Sequence, residues 1–348
     1  MKLVVLKFGG TSIRNKNYFL KAMNHIKNEL TKGHKIICVV SAMGRMGEPY
    51  STDTLKSLVS YQISKKEQDR LLSCGEIISS VVFSDFLLVN GIKSISLSTK
   101  DTGIKTDGQF TNANITAIDD STIKKTLESH DVVVIPGFQG LTKDREITTL
   151  GRGGSDTTAI ALGIKLNAFY VDIVSDVEGI MTADPKLVKN AKRITKISYD
   201  DLLTMTKNGA KVLHYKAASL AKQSKIKLRF LSIDHPESYT EIVDESISNT
   251  VNITSKARFV RYDTKFDLKR SIFSSFVDEY ENFYYVDEDN ESSIDIFLNN
   301  SGVNYKKEYG YVKISVINHK NDPVETILFT NEENLKDKLN NIHQNLVS

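Results

Sequence analysis

Near its start the chain carries an apolar run, Leu3-Val4-Val5-Leu6, which passes through Lys7-Phe8-Gly9-Gly10-Thr11-Ser12 into a segment with Tyr18, Phe19, Ala22, Met23, Ile26 and Leu30 at helical spacing. Gly33 ends that segment, and a second apolar strand, Lys35 to Val40, comes next. Strand, tight turn and helix in that order point to a largely parallel sheet with helices packed on it. In such sheets ligands gather where the strands end. The first turn is the kind that cradles phosphate: adjacent glycines admit a ligand close to the backbone, amides leading into the next helix point at it, and Lys7 adds a fixed positive charge. Gly151-Arg152-Gly153-Gly154-Ser155-Asp156-Thr157-Thr158 repeats the design before an Ala-rich helix. Two such loops suggest one site that handles two anionic partners.

The remaining chain fits this frame. A helical pattern covers Lys66 to Leu88, with Gly75-Glu76 interrupting its apolar face. Thr52 reads as the N-cap of a short helix, and Ser155 or Asp156 as the cap of the helix through Leu166. Strands are expected at Lys93 to Leu97, Asp131 to Ile135, Ala168 to Val174 and 226–231, a polar hairpin over 141–149, and helices over 198–207 and 212–224. Composition shifts near residue 235, giving a first domain over 1–235, a polar connection over 236–252 and a small α+β domain over 253–348. In that last part Ile272, Phe273, Phe276, Val277 and Tyr280 read as a helix face. Strands are expected at 257–262, 282–286, 293–298, 310–318 and 325–330, with a closing helix that carries Leu335, Leu339 and Ile342.

Composition excludes several classes. Hydrophobic residues make up 40% and charged residues 26%, an ordinary globular balance, and the longest apolar runs are too short to cross a bilayer. No secretory leader is read at the start, so the expected location is the cytoplasm. Two cysteines, Cys38 and Cys74, do not make a disulfide framework or a zinc site. A net charge of +3 is no nucleic-acid footprint, although residues 253–348 hold 12 basic against 16 acidic residues and residues 1–252 hold 34 against 27. A basic first part suits anion binding, and equally a surplus of solvated lysines. Neither a Walker loop nor a protein-kinase glycine loop is present.

Five stretches, Lys7-Phe8-Gly9-Gly10-Thr11-Ser12, Val40-Ser41-Ala42-Met43-Gly44, Leu72-Ser73-Cys74-Gly75-Glu76, Gly151-Arg152-Gly153-Gly154-Ser155-Asp156 and Gly209-Ala210-Lys211-Val212-Leu213-His214, together resemble the motif set of bacterial aspartate kinases of the lysine and diaminopimelate pathway, in that family's order. The resemblance implies the amino acid kinase fold, an αβα sandwich with a largely parallel sheet, followed by a small ACT-like, ferredoxin-like α+β domain. It implies transfer of the ATP γ-phosphoryl group to the side-chain carboxylate of L-aspartate, giving 4-phospho-L-aspartate. Lys7 would stabilise charge at the transferring group with the amides of Gly9 and Gly10 beside it, and Asp156 would orient Lys7.

By the same resemblance Arg152 grips a substrate carboxylate with its planar fork and Glu76 takes the α-ammonium, while Ser41, Thr52, Phe138, Gly153, Gly154 and Ser155 complete the substrate site. Nucleotide binding falls to Lys7, Phe8, Gly9, Gly10, Ser175, Asp176, Met181, Asp184, Lys186, Lys211 and Val212, with Mg2+ arriving on ATP and not in a protein cage. His214 reads as a packing or solvated residue. Homodimerisation through the C-terminal domain is a family expectation; nucleic acid and membrane are not expected partners.

The C-terminal part departs from the family pattern. Two ACT modules are usual, and 253–348 leaves room for about one; the glycines expected after Val312-Lys313-Ile314-Ser315-Val316-Ile317 are replaced by Asn318, His319 and Lys320. Lysine or threonine inhibition is therefore expected to be weak or absent. Two other readings stay open: a kinase for another small acid or a nucleoside monophosphate, and a silent homologue that binds ATP or an amino acid as a regulatory partner.

Overall fold

A computed structural model describes residues 2–210, 212–245, 251–317 and 326–347, which form two compact units. The first comprises residues up to Ile180, Arg193–Leu203 and Val212 to the end of its last strand; the second comprises Met181–Lys192, Thr204 onward to residue 210, and the chain from 251.

The first unit is built on an eight-stranded sheet. Its strands are β1 (Leu3–Phe8), β2 (Lys35–Val40), β3 (Ser94–Ser96), β6 (Val132–Pro136), β9 (Val171–Ser175), β10 (Lys196–Ser198), β11 (Leu228–Ser232) and β12 (Tyr239–Val243), in the order β10-β12-β11-β9-β1-β2-β6-β3. Every pairing is parallel except β11 with β12. β1 lies between β2 and β9, with Lys7 level with Val39 and Ile173. Central parallel strands are covered on both faces, which is why β2 and β6 are apolar almost throughout. A smaller four-stranded sheet holds β4 (Ile104–Thr106), β5 (Ile115–Ile118), β7 (Gln139–Leu141) and β8 (Ile147–Thr149).

Helices arise from pattern and caps. α1 (Lys16–Thr31) starts where the Asn15 side chain accepts the amides of Asn17 and Tyr18, at 3.0 and 3.3 Å, and buries Phe19, Ala22, Met23 and Ile26 against Val4, Leu6 and Phe8. α3 (Lys65–Val89) is capped by Ser64 and sends Phe83 and Leu87 into the same core. It is the one helix among the described residues long and apolar enough to cross a membrane, yet half of that stretch is buried inside the unit. α2 (Thr52–Ser57), α4 (Ser121–Ser129), α5 (Gly154–Lys165) and α6 (Tyr215–Ser224) complete the unit. Under the sheet, the fully buried Asp172 takes a two-pronged contact from Arg229, 2.7 Å on each prong, and a 3.3 Å contact from His25. His25, Glu29 and Asp172 lie together like metal ligands, but the Arg229 guanidinium already neutralises Asp172.

The second unit is α+β. One antiparallel sheet has the order β14-β15-β13-β16-β17, from β13 (Asn252–Thr264), β14 (Val277–Tyr280), β15 (Phe283–Asp287), β16 (Tyr305–Ile317) and β17 (Thr326–Asn331). α7 (Glu291–Asn300) packs Ile294 and Leu298 on Val260, Tyr262 and Val286, and α8 (Leu335–Val347) packs Leu339 on Ile253, Ile314 and Val316.

Several expectations need correction. The connection expected over 236–252 contains strand β12, an integral part of the large sheet. The helix face expected at 272–280 is turn and strand: Ile272 and Phe276 are exposed, and only Val277–Tyr280 is regular. The strand expected at 293–298 is helix α7, whose buried residues Ile294 and Leu298 are four apart. Ser51, not Thr52, caps α2, and Gly153 stands at the cap position of α5 in place of Ser155 or Asp156.

Candidate active site

The carboxyl ends of β1, β2 and β6 open on a cavity of about 520 Å³ inside the first unit. Lys7 comes from β1, Ser41 lies just past β2, Phe138 just past β6, Thr52 comes from α2, Glu76 from α3, Arg152 and Gly153 from the loop entering α5, and Gly154, Ser155 and Asp156 from its first turn; all line this cavity. Every residue assigned to the catalytic and substrate roles is thus brought together.

Lys7 Nζ lies 2.7 Å from Asp156 Oδ1, both side chains mostly buried. The pair fixes the Lys7 side chain at the cavity wall. Arg152 is exposed in the loop entering α5 and forms no ion pair among the described residues. Phe138 has φ +73°, a left-handed conformation costly for a bulky residue; its amide is held by Thr158 Oγ1 at 3.1 Å. His214 packs its Cβ where any side chain at Gly153, itself at φ +69°, would stand, and burial, with Arg152 nearby, lowers its pKa.

Glu76 is the unusual group. It is 2% exposed, Oε1 accepts the Ala42 amide at 3.0 Å, and Oε2 has no partner. Burial pushes its pKa up to about 8, against the lowering effect of the amide bond. Close packing creates this position: a Cβ on Gly75 would stand 2.7 Å from Ala42 Cβ and 2.8 Å from the Tyr50 carbonyl. A buried acid with one unpartnered oxygen leaves a polar group in the cavity still to be satisfied.

The phosphate cradle is different from the sequence expectation. Gly9 donates its amide to the Val174 carbonyl at 3.2 Å, so that amide is not available to a ligand. Gly10 is small because a Cβ there would stand 2.3 Å from the Ala42 carbonyl oxygen. The next element is only a 3-10 turn, Gly10–Ile13, and the N-terminus of α1 is closed by Asn15. Phe8 offers only backbone, since its ring is buried against Phe83 and His25.

The other residues expected to bind nucleotide are not among the cavity's lining. Ser175 ends β9 and folds back on Val177, Asp176 pairs with Arg45, and Val212 precedes α6, all in the first unit. Met181, Asp184 and Lys186 belong to the second unit, where Asp184 Oδ1 accepts the Lys186 amide at 2.9 Å. Lys211 lies outside the described residues, as do Asn318, His319 and Lys320.

Sequence reasoning missed Asp53, Lys56, Gln68, Thr111 and Thr149, which also line the cavity, as do Leu72 and Gly151 from the five motifs, which were given no role of their own. For α3 the signal was present: Gln68, Leu72 and Glu76 recur every four residues and so share one face. Thr111 and Thr149 arrive through the small sheet and carry no local signal.

A largely parallel sheet with a charged cavity at its strand ends is a small-molecule binding architecture, and comparison assigns the family. A sequence model of the amino acid kinase family matches residues 2–232, and the chain belongs to that family. Aspartokinase 1 of Bacillus subtilis is 47% identical over 235 residues, covering 67% of this chain and 58% of that one. The aspartokinase of Rickettsia conorii is 36% identical over 273 residues, covering 76% and 68%. Among solved structures, aspartate kinase from Synechocystis matches with a TM-score of 0.60 at 29% identity, over 91% of this chain and 60% of that one. Aspartokinase III of Escherichia coli, in complex with aspartate and ADP, shares the fold with a TM-score of 0.74 at 19% identity over the whole of both chains. The chain spans 58–61% of the length of the Bacillus and Geobacillus relatives it matches at 40% identity or more.

Proposed function

We propose that this protein is an ATP-dependent aspartate kinase that forms 4-phospho-L-aspartate, a soluble cytoplasmic enzyme whose first unit is catalytic. The observation that carries the reading is Glu76: a buried carboxylate with an open oxygen, in one cavity with Arg152 and the Lys7–Asp156 pair. A free amino acid has the charges that complement this set, an ammonium for Glu76 and a carboxylate for Arg152. An N-acylated acid has no ammonium to offer, and a nucleoside monophosphate would leave Glu76 facing an anion.

The chemistry asks little covalent help. A carboxylate is already a nucleophile, so the protein must hold two anions in line and offset their repulsion. Lys7 supplies a fixed charge at the transferring phosphoryl group, and Asp156 holds Lys7 there. Asp156 is also a hard oxygen donor at the cavity wall, which suits Mg2+ carried on the phosphates, where the ion screens their charge. Ser175, Asp176, Met181, Asp184, Lys186, Lys211 and Val212 remain the proposed nucleotide contacts. On the likeness to aspartokinases, the second unit is proposed to be an ACT-like module that joins two copies into a homodimer and no longer responds to lysine or threonine.

The test is ADP release with L-aspartate, L-glutamate, N-acetylglutamate and UMP in parallel, trapping acyl phosphate with hydroxylamine and repeating the aspartate arm with millimolar lysine and threonine. Hydroxamate from aspartate alone, undiminished by either effector, is expected. ATP binding without turnover of any acceptor would replace the proposal with a silent homologue, and inhibition by either effector would remove the regulatory part.

A further inference from the structure

Asp69 has no exposed surface, and nothing in the phosphoryl-transfer chemistry calls for it. It lies on α3 seven residues before Glu76, two helical turns, so the two carboxylates share one side of the helix about 10 Å apart along its axis. Its oxygens are fully engaged. Oδ2 accepts the amides of Thr111 at 2.8 Å and Thr149 at 2.9 Å, and Oδ1 accepts the Thr149 hydroxyl at 2.6 Å. Both threonines line the cavity. Two residues past Thr111, the Ala113 amide donates to the Thr149 carbonyl at 2.9 Å, which holds the two segments side by side. From Thr149 the chain runs directly to Arg152, and the turn is closed by the Gly154 amide on the Gly151 carbonyl at 3.0 Å.

One buried carboxylate therefore joins the helix that carries Glu76 to the loop that carries Arg152. We propose that Asp69 is a positioning residue that sets the distance between these two groups and with it the length of amino acid the site accepts. The inference rests on the aspartate kinase reading, in which Glu76 and Arg152 hold the two ends of the substrate. Asp69 never touches the substrate. Three donors converge on its carboxylate, the Thr111 amide from one segment and the amide and hydroxyl of Thr149 from another. A neutral amide in its place can accept the two backbone amides on one oxygen only as weaker neutral bonds, and it meets the Thr149 hydroxyl with an N–H, so that bond must reverse.

The test compares wild type, Asp69→Asn and Thr149→Val for kcat, for KM toward aspartate and ATP, for kcat/KM with glutamate against aspartate, and for direct calorimetric binding of both amino acids, with circular dichroism and Tm as controls. In Asp69→Asn, KM for aspartate is expected to rise at least tenfold with kcat within threefold, KM for ATP within twofold, and the preference for aspartate over glutamate at least fivefold narrower. Thr149→Val keeps the two amide bonds and is expected to show a smaller change of the same kind. Equal losses in kcat, in both KM values and in Tm would make Asp69 merely structural, and an unchanged KM for aspartate would also overturn the proposal. Wild-type protein that binds neither amino acid would overturn the function reading together with this one. Wild-type turnover of aspartate with an indifferent Asp69→Asn variant would overturn this one alone.

Discussion

At Glu76 the sequence and the structure agree on a residue and the structure adds its state. A carboxylate beside a glycine on an apolar helix stood out in the sequence, but not that burial would hold its pKa near 8. Between about 4.5 and about 8 the folded protein keeps a proton that the unfolded chain has released, so folding stability falls as pH rises through that window. On the proposed function, substrate binding has the opposite demand, because an ammonium ion would be received by the ionised carboxylate. We therefore expect kcat/KM for aspartate to climb as pH rises toward about 8 and then level, with the free-enzyme pKa read from that profile. Glu76→Gln should lose most of this activity at every pH, yet melt higher than wild type in alkaline buffer and no higher near pH 5. Pairing a pH–rate profile with melting curves checks both signs. A variant less stable than wild type in alkaline buffer would mean that Glu76 is not the group that holds the proton.

Among elements, α3 does the most to place the site, and its position depends on one close contact. With Gly75→Ala the added methyl would overlap Ala42 Cβ and the Tyr50 carbonyl, so the helix must back away from the end of β2 and the Glu76 bond to the Ala42 amide must lengthen. The cost expected is about 1–3 kcal/mol of stability, with KM for aspartate rising tenfold or more while KM for ATP changes little. Urea titration and steady-state kinetics decide it, and an unaltered KM would show that the helix has slack. Such contacts also mark the limit of what the sequence discloses. The five motifs name the strand ends and the charged residues because each is local, whereas Thr111 and Thr149 reach the cavity through a small sheet assembled from distant strands. The same limit explains the two element errors of the C-terminal part. Ile294, Ile296 and Leu298 alternate as a strand would, but Ile296 is exposed and Ile294 and Leu298 are buried, the spacing of a helix face. At 272–280 Ile272 and Phe276, which mimic a helix face, are left in solvent, because Val277–Tyr280 pairs with β15 in the sheet.

For the whole molecule, composition marks a change near residue 235, yet the second unit takes in earlier stretches of chain. Residues Met181–Lys192 belong to it, and their role there is structural: Ala183 and Val188 are buried with Ile253, Ile314, Val316 and Leu339. Hydrogen bonds fix the same segment, from the Ile253 amide to the Thr182 carbonyl at 2.8 Å, from Asn252 Nδ2 to the Met181 carbonyl at 2.6 Å, and between Thr182 Oγ1 and His343 at 2.9 Å. A boundary drawn from composition cannot show this, since Thr182, Ala183 and Val188 look like any short loop until the strands that cover them are in place. The C-terminal part is accordingly not a detachable appendage. A chain ended after Glu245 would keep Ala183, Leu187 and Val188 but lose the strands and helix that bury them, leaving an apolar cluster and the Thr182 backbone in water. We expect that truncation to aggregate or to melt well below the full chain, and supplying residues 247–348 as a separate polypeptide to restore soluble material. Size-exclusion chromatography with light scattering and a melting curve of each preparation would show it. A monodisperse 2–245 fragment with the full chain's Tm and undiminished aspartate turnover would instead mean that 181–192 finds cover without its C-terminal partners.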